Sequence, residues 1–283
     1  AIGTHGVALK GPCTTPIARG FTSVNVQLRQ KLDLFSAIRP VRSLTGVKTR
    51  YEGVDLVIFR ENTEGLYSGI ENEITPGVVT SLKIVTKAGS TRIARSAFQY
   101  VLKRGRQKIS VFHKANIMKL SDGLFLDCVQ RVHDEEFPDV DYETRIIDAG
   151  CMKLVQDPNQ FDVLLMENFY GDVVSDLAAG LVGGLGMVPG ANIGNGAAIF
   201  EAVHGSAPDI AGRGIANPLA LLMSAVMMLK HLHETADDSH CKTAAVRIKS
   251  AYDLALTENL KTHDLGGNLG TDDFGDVVIA RLP

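Results

Sequence analysis

The apolar run Phe161-Asp162-Val163-Leu164-Leu165-Met166, followed shortly by Gly171-Asp172-Val173-Val174-Ser175-Asp176, decides how the rest of this chain is read. A short run of Val, Leu and Met fits a strand buried on both faces, and the residues after it have helical spacing. A buried strand feeding a helix is the repeating unit of α/β folds. On such a helix Asp172 and Asp176 share one face, one turn apart. Two hard carboxylate ligands at the carboxyl end of a strand suit Mg²⁺ or Mn²⁺, while a solvated helix start stabilised by its own acids is the commoner explanation of such a pair.

Working outward, short β-branched runs alternate with helical periodicity, which indicates α/β layering rather than a helix bundle or an all-β sandwich. Strands are expected over 6–10, 54–59, 108–112, 142–147, 161–166 and 197–200, with 1–3 as entry into the first. Helices are expected over 91–103, 121–135 behind a Ser cap, 172–182, 218–233 and 239–258. Residues 68–85 read as a hairpin-like excursion broken by Thr75-Pro76-Gly77, of the kind that serves as an arm between subunits. The glycine-rich stretch from Gly180 to Gly196 follows a helix, so it is not the Gly-x-Gly-x-x-Gly turn of a Rossmann nucleotide site.

Composition excludes several classes. The chain has 283 residues, 45% of them hydrophobic, enough for a large core, and its net charge of -3 with scattered basic residues argues against nucleic-acid binding. Its densest basic cluster, Lys103 to Lys108, reads as a helix C-terminus. The longest apolar helical run, Leu219 to Leu229, is too short to span a bilayer. Four dispersed cysteines, Cys13, Cys128, Cys151 and Cys241, indicate neither a zinc cluster nor a disulfide framework, and fit a reducing compartment. His231, His233 and His240 fall on a polar helix end, which favours solvated side chains over a metal cluster.

Three arginines, Arg29, Arg39 and Arg60, fall at or near the ends of expected elements, and Ser23 and Asn25 precede the first. Guanidinium forks with hydroxyl and amide donors would suit a small molecule with several carboxylates, provided they converge; singly, each is a surface ion pair. Tyr67 and Lys114 could both reach a cleft, where a tyrosine supplies a proton and a lysine beside a cation releases one. Packing and a surface charge are their plainer roles. After the strand at 197–200 comes His204-Gly205-Ser206-Ala207-Pro208-Asp209-Ile210-Ala211-Gly212, in which Asp209 could accept hydrogen bonds from ribose hydroxyls and repel a 2′-phosphate.

These pieces, in this order, resemble the β-decarboxylating dehydrogenase family of isocitrate, isopropylmalate and homoisocitrate dehydrogenases. The resemblance runs from Leu9-Lys10-Gly11-Pro12 to Asp264-Leu265-Gly266-Gly267 and includes Arg60 to Tyr67, His113-Lys114-Ala115-Asn116, Tyr170 to Asp176 and His204 to Asn217. It implies a two-domain isopropylmalate dehydrogenase-like α/β fold with a non-Rossmann cofactor site. One domain would take residues 1–34 and 183–283, and a smaller one residues 35–182, with an intersubunit clasp at about 68–85. It implies oxidative decarboxylation of isocitrate with NAD as acceptor, homoisocitrate or isopropylmalate being the nearest alternative substrates. A noncatalytic regulatory subunit is the alternative of another class, and such a chain would be expected to have lost Tyr67, Lys114 or the aspartates.

By the same resemblance Arg29, Arg39 and Arg60 hold the substrate carboxylates, and Ser23 and Asn25 receive the distal one, where isopropylmalate enzymes would carry apolar residues. Asp172 and Asp176, together with Asp148 of a neighbouring subunit, would bind Mg²⁺ or Mn²⁺. Lys114 of the neighbour would take the hydroxyl proton and Tyr67 would protonate the enolate. His204, Gly205, Asp209, Ile210 and Asn217 match cofactor-contacting positions, with Asp-Ile the NAD-type choice where NADP enzymes tend to carry Lys-Tyr. Shared sites imply a homodimer or higher oligomer, in the bacterial cytoplasm or the mitochondrial matrix. The family's opening strand, Gly-Asp-Gly-Ile-Gly-Pro-Glu turn and helix are expected ahead of residue 1, so a sheet edge is expected to be bare without them.

Overall fold

The computed structural model describes residues 2–16 and 20–283. In chain order it runs α1 (Ile2–His5), β1 (Val7–Lys10), α2 (Val24–Lys31), β2 (Ser36–Arg42), β3 (Asp55–Glu61), β4 (Glu71–Thr75), β5 (Val78–Ser81), α3 (Lys87–Arg104), β6 (Lys108–His113), α4 (Ser121–Glu136), β7 (Asp141–Ile146), α5 (Ile147–Gln156), β8 (Val163–Met166), α6 (Asn168–Leu181), β9 (Pro189–Ile193), β10 (Ala198–Ala202), α7 (Leu219–Ala236), α8 (Ser239–Thr257) and α9 (Thr271–Ile279). Eight strands form one mixed sheet in the order β1-β10-β9-β2-β3-β8-β6-β7, and β4 pairs with β5 in a separate hairpin. The β3-β8-β6-β7 half is parallel, and β10, β9, β2 and β3 pair antiparallel.

Strand alternation sorts the sheet into two cores. Leu56, Ile58, Phe112, Leu164 and Met166 face one way and pack with Leu154 of α5 and Val174 and Ala178 of α6. Val57, Phe59, Ile109, Val111, Val163 and Leu165 face the other way, against Ile93, Ala97 and Phe98 of α3 and Phe125 and Val129 of α4. All four residues of β8 are fully buried, which is why its sequence is a continuous apolar run. α3 is bounded by local chemistry. The Thr86 hydroxyl accepts from the Gly89 amide at 3.0 Å, and Gly105 ends the helix at φ 62°, a left-handed cap that glycine adopts without a Cβ penalty.

The excursion over 68–85 is the expected hairpin, turned at Gly77. It stands off the body with Ile74 67% and Val79 65% exposed. Three local readings change. Residues 2–5 form a helical turn closed by Gly6 at φ 68° instead of entering a strand, and Ala1 lies outside the described residues. The cap position of α4 is Leu120, without a side-chain bond, while the Ser121 hydroxyl turns to the Asp122 carboxylate at 3.3 Å. α6 begins at Asn168, a turn earlier than expected, so Asp172 and Asp176 sit inside the helix and not at its start. That placement removes the helix-start explanation of the pair.

Candidate active site

Arg39 on β2 and Arg60 on β3 leave the sheet on the face that carries α6. Arg60 is fully buried; its Nε and Nη2 donate to Asn168 Oδ1 at 3.0 and 2.7 Å, and its Nη1 donates to Asp172 Oδ1. This fit requires Gly171, because a Cβ there would lie 2.5 Å from Arg60 Cγ. Arg39 donates to the Ser175 hydroxyl and lies 3.7 Å from both Asp172 Oδ1 and Asp176 Oδ1. Tyr67 donates its hydroxyl hydrogen to Asp172 Oδ2, and its ring lies 5.0 Å from the Arg60 guanidinium.

The charge state of this cluster follows from burial and pairing. Burial, then the Arg60 charge, brings Arg39 down to about 9. Burial pushes the Tyr67 phenol up, and so does its bond to Asp172, so the phenol holds its proton. For Asp172, burial is the largest single influence and acts upward, but Arg60, Tyr67 and Arg39 together outweigh it and keep the carboxylate below its usual range. Asp176 is raised by burial.

Beside this cluster lies a recess of about 120 Å³ lined by Asn25, Arg29, Arg39, Asn192, Glu201 and His204, among others. It unites substrate-binding candidates that are distant in sequence. Asn25 and Arg29 come from α2, where Ser23 is the cap residue. Asn25 Oδ1 and Arg29 Nε are buried without a hydrogen-bond partner, polar atoms that a ligand with carboxylates and hydroxyls would satisfy. Glu201 is the acid that sequence reasoning missed. It accepts from Asn192 Nδ2 at 2.8 Å, lies 3.4 Å from Arg29 Nη2, and pairs with Lys10. Burial acts upward on it, and Arg29 and Lys10 bring it below the usual range. Only its position just after the expected strand at 197–200 pointed to it.

Lys114 and Asp148 form a separate pair, Nζ to Oδ1 at 2.8 Å, at the carboxyl ends of β6 and β7. Two strands, β8 and β6, lie between β7 and the β3 strand that carries Arg60. Beneath Lys114 the fully buried Asp122 accepts the Lys114 backbone N–H at 2.6 Å and pairs with Lys83, which also pairs with Glu167. Burial lifts Glu167 to about 7. A carboxyl raised on folding stabilises fully below its unfolded pKa and loses that contribution as pH rises through the folded value. Glu167→Gln should therefore lose about 1–3 kcal/mol less than the wild type between pH 5 and 8. Urea unfolding at both pH values tests this, and parallel losses would refute it.

The cofactor candidates lie on the loops after β10. His204 and Gly205 line the recess, with His204 Nδ1 2.9 Å from the Gly205 carbonyl. Asp209 and Ile210 form a single 3₁₀ turn after Ala207 at φ 42°. Asn217 donates to Asp264 Oδ2 at 3.0 Å and accepts from the Leu219 amide at 2.9 Å, tying the loop to α7 and to the Asp264 segment. The structure thus puts His204 and Gly205 at the recess, while Asp209, Ile210 and Asn217 belong to the neighbouring loop surface.

Asp172 and Asp176 suit a hard divalent cation in donor type and spacing, with the Asp176 side chain 56% exposed. Among the described residues no three His, Cys, Asp or Glu side chains converge, so Asp148 does not complete a set with them in one chain. His231, His233 and His240 form no metal cluster either. Among the described residues no helix is long and apolar enough to cross a membrane.

Residues 1–278 match the family described as isocitrate/isopropylmalate dehydrogenase. The chain is 51% identical over 280 residues to isocitrate dehydrogenase [NAD] subunit 2, mitochondrial, of Schizosaccharomyces pombe, covering 98% of this chain and 72% of that protein. It is 51% identical over 284 residues to a mitochondrial isocitrate dehydrogenase [NAD] regulatory subunit of Dictyostelium discoideum, covering 100% and 78%. The crystal structure of isocitrate dehydrogenase from Methylococcus capsulatus superposes with a TM-score of 0.93 at 45% identity, over 99% of this chain and 83% of that one.

Proposed function

The chain belongs to the isocitrate/isopropylmalate dehydrogenase family, and from that premise we propose that it is a catalytic NAD-dependent isocitrate dehydrogenase subunit. The reaction is oxidation of the isocitrate hydroxyl and loss of CO₂ to give 2-oxoglutarate. The observation that carries this reading is the convergence of Arg29 and Arg39 with the unpartnered Asn25 Oδ1 on one recess beside the Arg60, Tyr67 and Asp172 cluster. Tyr67, Lys114, Asp148, Asp172 and Asp176 are all present, which favours catalysis over a regulatory role.

In this mechanism Arg29, Arg39 and Arg60 bind and orient the substrate carboxylates, with Ser23 and Asn25 receiving the distal one. Lys114 of a second subunit takes the hydroxyl proton, and Tyr67, which holds its proton, delivers it to the enolate carbon. Asp172, Asp176 and the second subunit's Asp148 would hold Mg²⁺ or Mn²⁺, which would supply Lewis acidity at the substrate oxygens, with NAD as the hydride acceptor. The separation of Lys114 and Asp148 from Asp172 within one chain supports a shared site. So do the exposed Phe169 and Val173 on α6, Met152 on α5 and the apolar hairpin β4-β5 as a dimer interface and clasp. Residues 1–34 with 183–283 and residues 35–182 remain the proposed domains. The mitochondrial naming of the two relatives fits a matrix location for a eukaryotic enzyme, a bacterial one being cytoplasmic.

NADH formation with isocitrate, homoisocitrate and isopropylmalate, each with and without Mg²⁺, tests the reading. Metal-dependent turnover of isocitrate alone is expected. Preference for another substrate would overturn the role of Ser23 and Asn25, and no turnover of any would return the chain to a regulatory role. Asp209→Lys with Ile210→Tyr should move the NAD to NADP ratio of kcat/KM towards NADP by about tenfold or more. An unchanged ratio would remove both residues from cofactor choice.

A further inference from the structure

The sheet that carries the active-site arginines has a second face, and a cavity of about 460 Å³ lies against it. That volume is within the roughly 300–1,000 Å³ typical of small-molecule sites. Strand alternation separates the two sides. Arg39 on β2, Arg60 on β3 and Asn192 on β9 belong to the active-site face, while Ile38, Pro40, Arg42, Phe59 and Ile193 line the cavity. Its far walls are α3, α7 and α8.

The cavity's surface has two halves. One is apolar and partly aromatic, formed by Ile38, Pro40, Tyr100, Ile193 and Met227, with the buried Phe59 and Phe200 behind them. The other is cationic. Glu234 already serves both Lys103 at 2.7 Å and Arg104 at 2.6 Å, and Lys249 pairs with Asp253 on its own helix. Lys230 has no carboxylate within 4 Å among the described residues, and Arg42 has only the Tyr252 hydroxyl, at 3.2 Å. Partial burial, then the charges of Arg42, Arg104 and Lys249, outweigh Glu234 and bring Lys230 below the ordinary lysine range, although its side chain stays open to solvent at the rim. The lining carries six cations, Arg42, Lys103, Arg104, Arg106, Lys230 and Lys249, against two carboxylates, Asp55 and Glu234, and this excess of positive charge around an open volume favours an anion there.

We propose that this cavity is a second ligand site, taking a small amphipathic anion whose flat apolar body rests on Ile38 and Met227 and whose carboxylate or phosphate meets Lys230 and Arg42. The site does not depend on the substrate assigned to the opposite face. Its ligand would share the β2 strand with Arg39, whose neighbours Ile38 and Pro40 form part of the cavity wall.

The test is isothermal titration of the whole chain with 1-naphthyl phosphate, alongside 1-naphthol and inorganic phosphate. One-to-one saturable binding with Kd below about 1 mM is expected, weakened about tenfold or more by Lys230→Met, as loss of a charge-assisted contact predicts. Lys230→Met should leave isocitrate turnover without the probe unchanged, which shows that the variant is folded. Arg42→Met should weaken binding in the same direction. Absence of saturable binding, or equal affinity in Lys230→Met, would overturn the site. Naphthol or phosphate alone binding as tightly as the ester would overturn the proposed ligand class.

Discussion

Heterodimers built from one Lys114→Met chain and one Asp172→Asn chain are expected to recover about half of the wild-type turnover, although each parent homodimer is inactive. The reasoning is geometric. Lys114 is paired with Asp148 beyond β6, and Asp172 of α6 is held by Arg60 and Tyr67, so on the proposed shared site one chain would contribute to two half-sites. A mixed dimer then has one half-site pair carrying both defects and one carrying neither. Co-expression with two different affinity tags, followed by purification through both, isolates that species for assay with isocitrate, NAD and Mg²⁺. If every site were contained in one chain, both sites of the mixed dimer would be damaged. Activity no higher than that of the parents would therefore refute the shared site.

Arg60→Met is expected to destabilise the protein by about 3 kcal/mol, the low end of the cost of breaking a buried pair. The low end applies because the Asp172 side chain is 37% exposed and water recovers part of its charge. In melting temperature this is on the order of 5–10 °C. The loss has two origins, an Asp172 carboxylate without its main partner and an Asn168 oxygen without its two donors. Arg60→Lys should not rescue it, since an ammonium cannot serve Asn168 and Asp172 in the same fork. Adding Asp172→Asn to Arg60→Met should cost less than the sum of the single changes. Strict additivity in urea unfolding would show that the pair is not energetically coupled.

In the parallel half of the sheet β3, β6 and β8 were legible because they are buried on both faces and read as apolar runs, while β7 is an edge strand with no buried residue and carries a weaker signal. β2 and β9 were not legible, for a physical reason. β2 carries Arg39, Pro40 and Arg42 among its seven residues, and β9 opens on Pro189-Gly190, so neither shows a strand pattern. Their hydrophobic content is low because one face serves the recess and the other the cavity. The helical pairing of Asp172 and Asp176 was accessible from spacing, whereas the place of Tyr67 beside them came only with the family resemblance, since the two segments meet through tertiary packing. The convergence of Arg29 with Arg39 was not, since α2 and β2 meet at the recess only through tertiary packing. Glu201 and Asn192 escaped because a lone acid at a strand end has no distinguishing local pattern.

On the proposed shared site, the Lys114–Asp148 pair would also make protein concentration a variable of catalysis. In a dissociated chain the lysine that should take the substrate's proton is engaged with its own aspartate, and the Arg60 and Tyr67 cluster lies elsewhere. Specific activity should therefore fall on dilution towards the dissociation constant of the dimer, with a lag on re-concentration that shortens in proportion to protein concentration. An enzyme arranged in this way would be silent as a nascent chain and would become active only when enough copies had accumulated to meet.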